Sequence, residues 1–281
     1  MSIDCVVLDL DGTFTQLADE APAFQAAFPN LVADLLGKDL GAAWPEAERR
    51  VHEFSPELGW TVEGHVTAPA DADPYILASC AAQLLFDRFL VLADPGLRSD
   101  VTTALYRRAY QHTGAAFRPE AKAVLEALLE RVPHVRFVTN AAEDAAQRKL
   151  ASLAPRGLEK LGLRGDARKF VIGPASAPDE RFFRIEKTKQ LPGLARPVLL
   201  ERGRYFDALA AIWSETGSRP ETTLVCGDIF ELDLALPAEL GAHVHFIRRE
   251  RTYDYELDAI RALGRRGGAS DTLTPLLERL G

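Results

Sequence analysis

Cys5-Val6-Val7-Leu8-Asp9-Leu10-Asp11-Gly12-Thr13 is the stretch that decides the fold. Its four leading apolar residues read as a buried strand. Two carboxylates follow where the strand stops and a loop begins. Burying two like charges side by side is costly unless a cation pairs them. A divalent metal would do so, and hard oxygen ligands suit Mg²⁺. With a metal present, one carboxylate can act as nucleophile and the other as proton donor. A solvated Asp-x-Asp-Gly turn would carry the same letters, because Asp-Gly pairs are common in turns.

Two further segments follow the same plan. Thr223-Leu224-Val225-Cys226 is a second buried-strand pattern, and it ends in Gly227-Asp228-Ile229-Phe230-Glu231-Leu232-Asp233. In an open parallel sheet, ligands bind outside the carboxyl ends of the strands. Asp228 can then face Asp9 and complete a metal site. Glu231 and Asp233 also admit a plainer reading, as acids at a helix start. Val135-Arg136-Phe137-Val138 is a third strand pattern, ending in Thr139-Asn140. A hydroxyl and an amide there can donate to a phosphate oxygen. The helix expected from Glu143 to Leu153 adds its unpaired N–H groups and dipole. Thr and Asn also serve as ordinary helix caps.

In this order the three segments resemble the haloacid dehalogenase-like superfamily of phosphohydrolases. Asp9, Asp11 and Thr13 match its Asp-x-Asp-x-Thr motif. Thr139 matches the second motif, and Gly227, Asp228 and Asp233 the fourth. Phe117-Arg118-Pro119-Glu120-Ala121 and Val124-Leu125 look like the helix leading into the second motif. The resemblance covers about residues 1–15 and 116–250. It implies a doubly wound parallel α/β sheet, a Rossmann-like core. It also implies a phosphatase in which Asp9 attacks phosphorus and Asp11 protonates the leaving oxygen, then activates water. Mg²⁺ would be held by Asp9, Asp228 and the main-chain oxygen of Asp11. Thr139, with Asn140, would bind phosphate.

The family's third motif is a Lys, usually just ahead of the helix before the fourth motif. That helix is expected from Tyr205 onward, and Leu199-Leu200-Glu201-Arg202-Gly203-Arg204 before it contains no Lys. Arg202 is the cation best placed by spacing, and is taken as a phosphate-binding residue. Arg196, Lys187 and Lys189 are alternatives.

The segment between the first two motifs is too long for a loop in a compact domain. Apolar residues recur at helical spacing in 33–36, 44–54, 75–92 and 99–112, with a loop expected over 59–73. This predicts an α-helical cap domain over 16–114, inserted into a core of 1–15 and 115–281. Trp44 and Trp60 fit the cap's own core better than a substrate pocket. The stretch 173–196 reads as a surface loop, with 181–185 as a possible short strand. Helices are expected over 255–263 and 272–280.

With 281 residues, 47% hydrophobic and 26% charged, the chain can build a sizeable core. A net charge of −8 argues against a nucleic-acid partner recruited by charge. Cys5, Cys80 and Cys226 form no Cys-x-x-Cys pair and read as small, reduced, buried residues. His243 and His245 lack a third partner for zinc. No run approaches a membrane helix, and the first strand leaves no room for a signal peptide. These features point to a cytoplasmic protein with a small phosphoester substrate and neither nucleic acid nor membrane as partner. Four other readings stay open: a dehalogenase, a phosphomutase, a phosphonate-cleaving enzyme, and a regulatory protein that keeps the fold without turnover.

Overall fold

The computed structural model describes residues 2–280, which form two compact units: up to 16 with 117 onward, and 17–116. The chain opens in the first unit with β1 (Cys5–Leu8). It then builds the second unit from α1 (Leu17–Glu20), α2 (Pro22–Leu36), α3 (Ala43–Phe54), β2 (Gly59–Val62), β3 (His65–Pro69), α4 (Pro74–Arg88) and α5 (Pro95–Tyr110). Back in the first unit follow α6 (Ala121–Arg131), β4 (His134–Val138), α7 (Glu143–Leu153), β5 (Gly162–Arg164) and α8 (Glu180–Arg184). Next come β6 (Thr188–Lys189), β7 (Val198–Leu199), α9 (Gly203–Thr216), β8 (Thr223–Gly227), α10 (Ala235–Glu239), β9 (His243–Ile247), α11 (Asp254–Ala262) and β10 (Gly267–Ser270).

Six strands of the first unit form one parallel sheet in the order β10-β9-β8-β1-β4-β5. Such a sheet is covered on both faces, so its central strands are apolar throughout. In β1 alternate residues serve opposite layers. Cys5 and Val7 pack with Leu209, Ile212 and Trp213 of α9, while Val6 and Leu8 pack with Val124, Leu125 and Leu128 of α6. The chain runs from β1 outward to β5, then crosses back to β8 on the other side of β1. The reversal opens a crevice at the carboxyl ends of β1 and β8. The register sets Leu8 level with both Phe137 and Cys226, so the three motif-bearing strands end together.

The second unit is mostly helical, around a core that includes Phe24, Phe28, Trp44, Tyr75 and Phe86. Trp44 meets Phe28 edge to face, as a core residue. Its helix starts follow local chemistry. The Asp73 and Asp94 carboxylates accept the N–H groups of Ile76 and Leu97 at 2.6 and 2.7 Å, and proline opens both helices. The expected loop over 59–73 is instead largely a hairpin of β2 and β3. Glu63 and Gly64 turn it with φ of 50° and 81°, as a two-residue hairpin turn requires.

Other expectations shift locally. Residues 180–184 are helical rather than extended, capped by Asp179 onto the Arg181 N–H at 2.8 Å. The closing segment 274–280 is a 3₁₀ helix. Strand β10, Gly-Gly-Ala-Ser, was not expected, having almost no intrinsic strand preference.

Candidate active site

Asp9 leaves β1 with its N–H on the Cys226 carbonyl at 2.9 Å. The loop after it folds back tightly, Phe14 N–H reaching the Leu10 carbonyl at 2.9 Å. Arg118 clamps it, donating to the carbonyls of Thr13 and Gly12 at 2.8 and 3.0 Å. Gly12 has φ of 83°, and a Cβ there would lie 2.5 Å from Asp228 Oδ2. Glycine therefore lets the loop close against the fourth motif.

Asp228 follows β8 directly, and Arg249, itself paired with buried Glu256, donates to its main-chain carbonyl. The Thr13 hydroxyl lies 3.1 Å from both Asp9 Oδ2 and Asp228 Oδ1, tying the first motif to the fourth. Asp233 lies in a single π turn, Phe230–Leu234, and its Oδ2 accepts the Ile229 N–H at 3.0 Å. Oxygens of Asp9, Asp228 and Asp233 fall within 4.8 Å of one another. Asp233 is thus part of the acidic centre rather than a helix-start charge alone.

The cation at this centre is Lys169, not Arg202. Its ammonium donates to Asp9 Oδ1 at 2.6 Å and to Asp233 Oδ1 at 2.7 Å, with the side chain only 1% exposed. Tyr205 supports the same corner, its ring below the ammonium at 5.6 Å and its hydroxyl on the Asp233 carbonyl at 2.8 Å. Arg202, also buried, donates to the carbonyls of Leu199 at 2.9 Å and of Lys169 at 2.6 Å. It secures the segment that carries the lysine, and this corrects its expected phosphate-binding role. Arg196 grips Glu231 through two 2.8 Å bonds, while Lys187 and Lys189 pair with Glu201 and Glu239.

Lys169 sits in the loop after β5, which docks on the second motif. The Asp166 N–H reaches the Ala141 carbonyl at 2.8 Å and the Ala167 N–H the Thr139 carbonyl at 3.0 Å. The Lys169 N–H reaches Asn140 Oδ1 at 2.8 Å. Asp166 and Arg168 adopt left-handed φ of 49° and 46°, the local strain that this docking sustains. Asn140 therefore uses its oxygen to place Lys169 and keeps its amide hydrogens as donors. Thr139 Oγ1 accepts the Ala141 N–H at 3.1 Å, so its own proton is available to give. Asp11 is held differently, its Oδ1 receiving the ammonium of Lys149 on α7 at 2.6 Å.

Burial pushes the Asp9 carboxyl up to about 7; Lys169 opposes the rise, and Asp233 and Asp11 add to it. Burial also acts against the Lys169 ammonium, but Asp233 and Asp9 outweigh it and hold the group above its ordinary value. Four carboxylates thus meet two lysines, which leaves two negative charges for a divalent cation to balance. An all-oxygen donor set with that deficit fits Mg²⁺.

Among the described residues no helix is long and apolar enough to cross a membrane. No protein-family model matches the sequence, and no curated protein does. Solved structures do match in fold. YfnB of Bacillus subtilis, described as a HAD-hydrolase and bound to magnesium, is 13% identical with a TM-score of 0.53, over 100% of this chain and 99% of its own. A predicted phosphoglycolate phosphatase of Haemophilus somnus is 13% identical with a TM-score of 0.58, over 99% and 98%. A Thermotoga maritima protein described as a beta-phosphoglucomutase is 12% identical with a TM-score of 0.51, over 98% and 97%. The chain has the haloacid dehalogenase-like fold.

Proposed function

We propose that this protein is a Mg²⁺-dependent phosphohydrolase acting on a small phosphorylated metabolite in the cytoplasm. The observation that carries this reading is Lys169 set between Asp9 and Asp233, beside Asp228. A lysine buried among three carboxylates suits a site that receives both a metal and a phosphoryl group. A regulatory protein that keeps the fold without turnover would suit a site lacking the third-motif cation, whereas Lys169 fills that place here. A dehalogenase needs neither a metal nor an acid at the second position, so Asp228 and Asp11 count against it.

In the proposed reaction, Asp9 attacks phosphorus and forms an aspartyl-phosphate. Lys169 orients the Asp9 carboxylate and offsets the charge that gathers there. Thr139 donates its hydroxyl proton, and Asn140 its amide hydrogens, to phosphoryl oxygens. Asp11 gives a proton to the leaving oxygen, then takes one from the water that cleaves the intermediate, which restores the Asp9 carboxylate and releases phosphate. Mg²⁺, held by Asp9, Asp228 and the main-chain oxygen of Asp11 with Asp233 adjacent, would cancel the repulsion between carboxylate and phosphate. The inserted unit is the proposed source of substrate choice.

Phosphate release from a broad phosphoester panel, with Mg²⁺ and with chelator, tests the reading. Turnover that requires Mg²⁺ and vanishes in Asp9→Asn is expected. Metal-independent turnover, or none on any ester, would overturn it. Transfer of phosphate between positions of a sugar without release would make the enzyme a mutase.

A further inference from the structure

We propose that Lys149 is a positioning residue for Asp11, and that the pair acts as one unit in leaving-group protonation. The inference rests on the reading of Asp11 as the acid. It starts from an anomaly in α7. Ala146, Lys149 and Leu150 form the buried stripe of that helix, at the spacing where apolar residues belong. A lysine there gives up hydration and needs a compensating charge. Its ammonium meets Asp11 Oδ1 at 2.6 Å, and the two side chains are only 10% and 22% exposed.

The placement has mechanical content. Asp11 stands on a loop whose backbone Arg118 clamps at the carbonyls of Gly12 and Thr13, so the loop is fixed through its main chain while Lys149 acts on the Asp11 carboxyl itself. The ammonium bond to Oδ1 holds the Asp11 side chain in one orientation, protonated or ionised, so that its other oxygen is the one that gives its proton to the leaving group and later takes one from water. Misplacement of a reacting group by about 1 Å costs on the order of a hundredfold in rate. Helix α7 begins just beyond Thr139 and Asn140, so the element that follows the phosphate-binding residues also fixes the acid. Lys149 is chemically separate from Lys169, which serves Asp9 and Asp233.

The test compares phenyl phosphate with 4-nitrophenyl phosphate, whose better leaving group needs less protonation. Wild type, Asp11→Asn, Lys149→Met and the double variant are measured with Mg²⁺. Methionine keeps the length and the helix preference of the position. Lys149→Met is expected to lower the phenyl to 4-nitrophenyl ratio of kcat roughly fivefold or more, with KM nearly unchanged. In the Asp11→Asn background the same change should leave the ratio where it is. Unfolding by urea gives a second readout that needs no turnover, and there the two single losses should be non-additive. A ratio that Lys149→Met does not move, or moves equally in both backgrounds, overturns the role of Lys149 alone. A ratio untouched by Asp11→Asn, or no turnover of either ester by wild type, removes the reading of Asp11 and this role with it.

Discussion

Asp9→Asn is expected to abolish turnover and at the same time to stabilise the metal-free protein. In the fold the Asp9 carboxyl is pushed from 3.8 up to about 7, because burial and the neighbouring Asp233 and Asp11 outweigh Lys169. The folded state therefore binds that proton more tightly than the unfolded chain does. Stability then falls as pH rises from about 4 to about 7, and stays at its lower level above that. About three pH units at 1.36 kcal/mol each give a penalty on the order of 4 kcal/mol. The amide of asparagine escapes this cost while its oxygen can still accept from Lys169 or Thr13. Urea unfolding in chelator should show the variant more stable by on the order of 2–4 kcal/mol at pH 8, with the gain vanishing near pH 4. Mg²⁺ should stabilise wild type and have little effect on the variant, since only a ligand bound by the native state shifts the equilibrium. A variant equal to or weaker than wild type at pH 8, or a gain indifferent to pH, would refute the charge accounting.

Lys169→Met should eliminate phosphate release and destabilise the protein by about 3–5 kcal/mol at pH 8, since it leaves Asp9 and Asp233 buried without their ammonium; an active variant of wild-type stability would show the lysine to be incidental. Gly12→Ala forces a Cβ against Asp228 Oδ2 at φ of 83°, so the Mg²⁺ needed for half-maximal turnover should rise roughly tenfold, and an unchanged requirement would contradict that contact. Burial, with Arg279 nearby, draws the His245 imidazole down from 6.5 to about 4. The unfolded chain then binds the proton more tightly, so the imidazole's own contribution, on the order of 3 kcal/mol, is lost as pH falls from 6.5 to 4, and the stability of His245→Gln relative to wild type should rise by about that much over this range in urea titrations.

What the sequence made legible were strands whose pattern and chemistry coincide. The apolar runs ending in Asp9, Thr139 and Asp228 have few alternatives to buried parallel strands, and the register brings their ends level. Lys169 was illegible for a physical reason. It follows β5, a three-residue strand of Gly-Leu-Arg with no apolar run, and it reaches the site by docking on Thr139, Asn140 and Ala141. Its place is set in space, so spacing from α9 pointed to Arg202 instead. Lys149 was hidden by its helix, where a charged residue ordinarily reads as solvated. The hairpin of β2 and β3 escaped because Glu-Gly is a weaker turn signal than Asn-Gly.

The junction of Gly173 with Arg202 has a topological consequence. These residues pair as an isolated parallel bridge, the Gly173 N–H on the Glu201 carbonyl at 2.6 Å and the Gly203 N–H on the Gly173 carbonyl at 2.9 Å. A Cβ at Gly203 would collide with the Pro174 main chain, so the pinch is tight. The intervening excursion leaves and returns at one point, and Lys169 lies outside it. Its exposed tip, the turn at Pro192 and Gly193 beyond the paired β6 and β7, can therefore change length without moving the lysine or the start of α9. The entropy of closing a loop grows only logarithmically, with each doubling costing about 0.6 kcal/mol. Chain inserted at that tip is decoupled from the chemistry, which makes it a natural place to attach a label or a second domain.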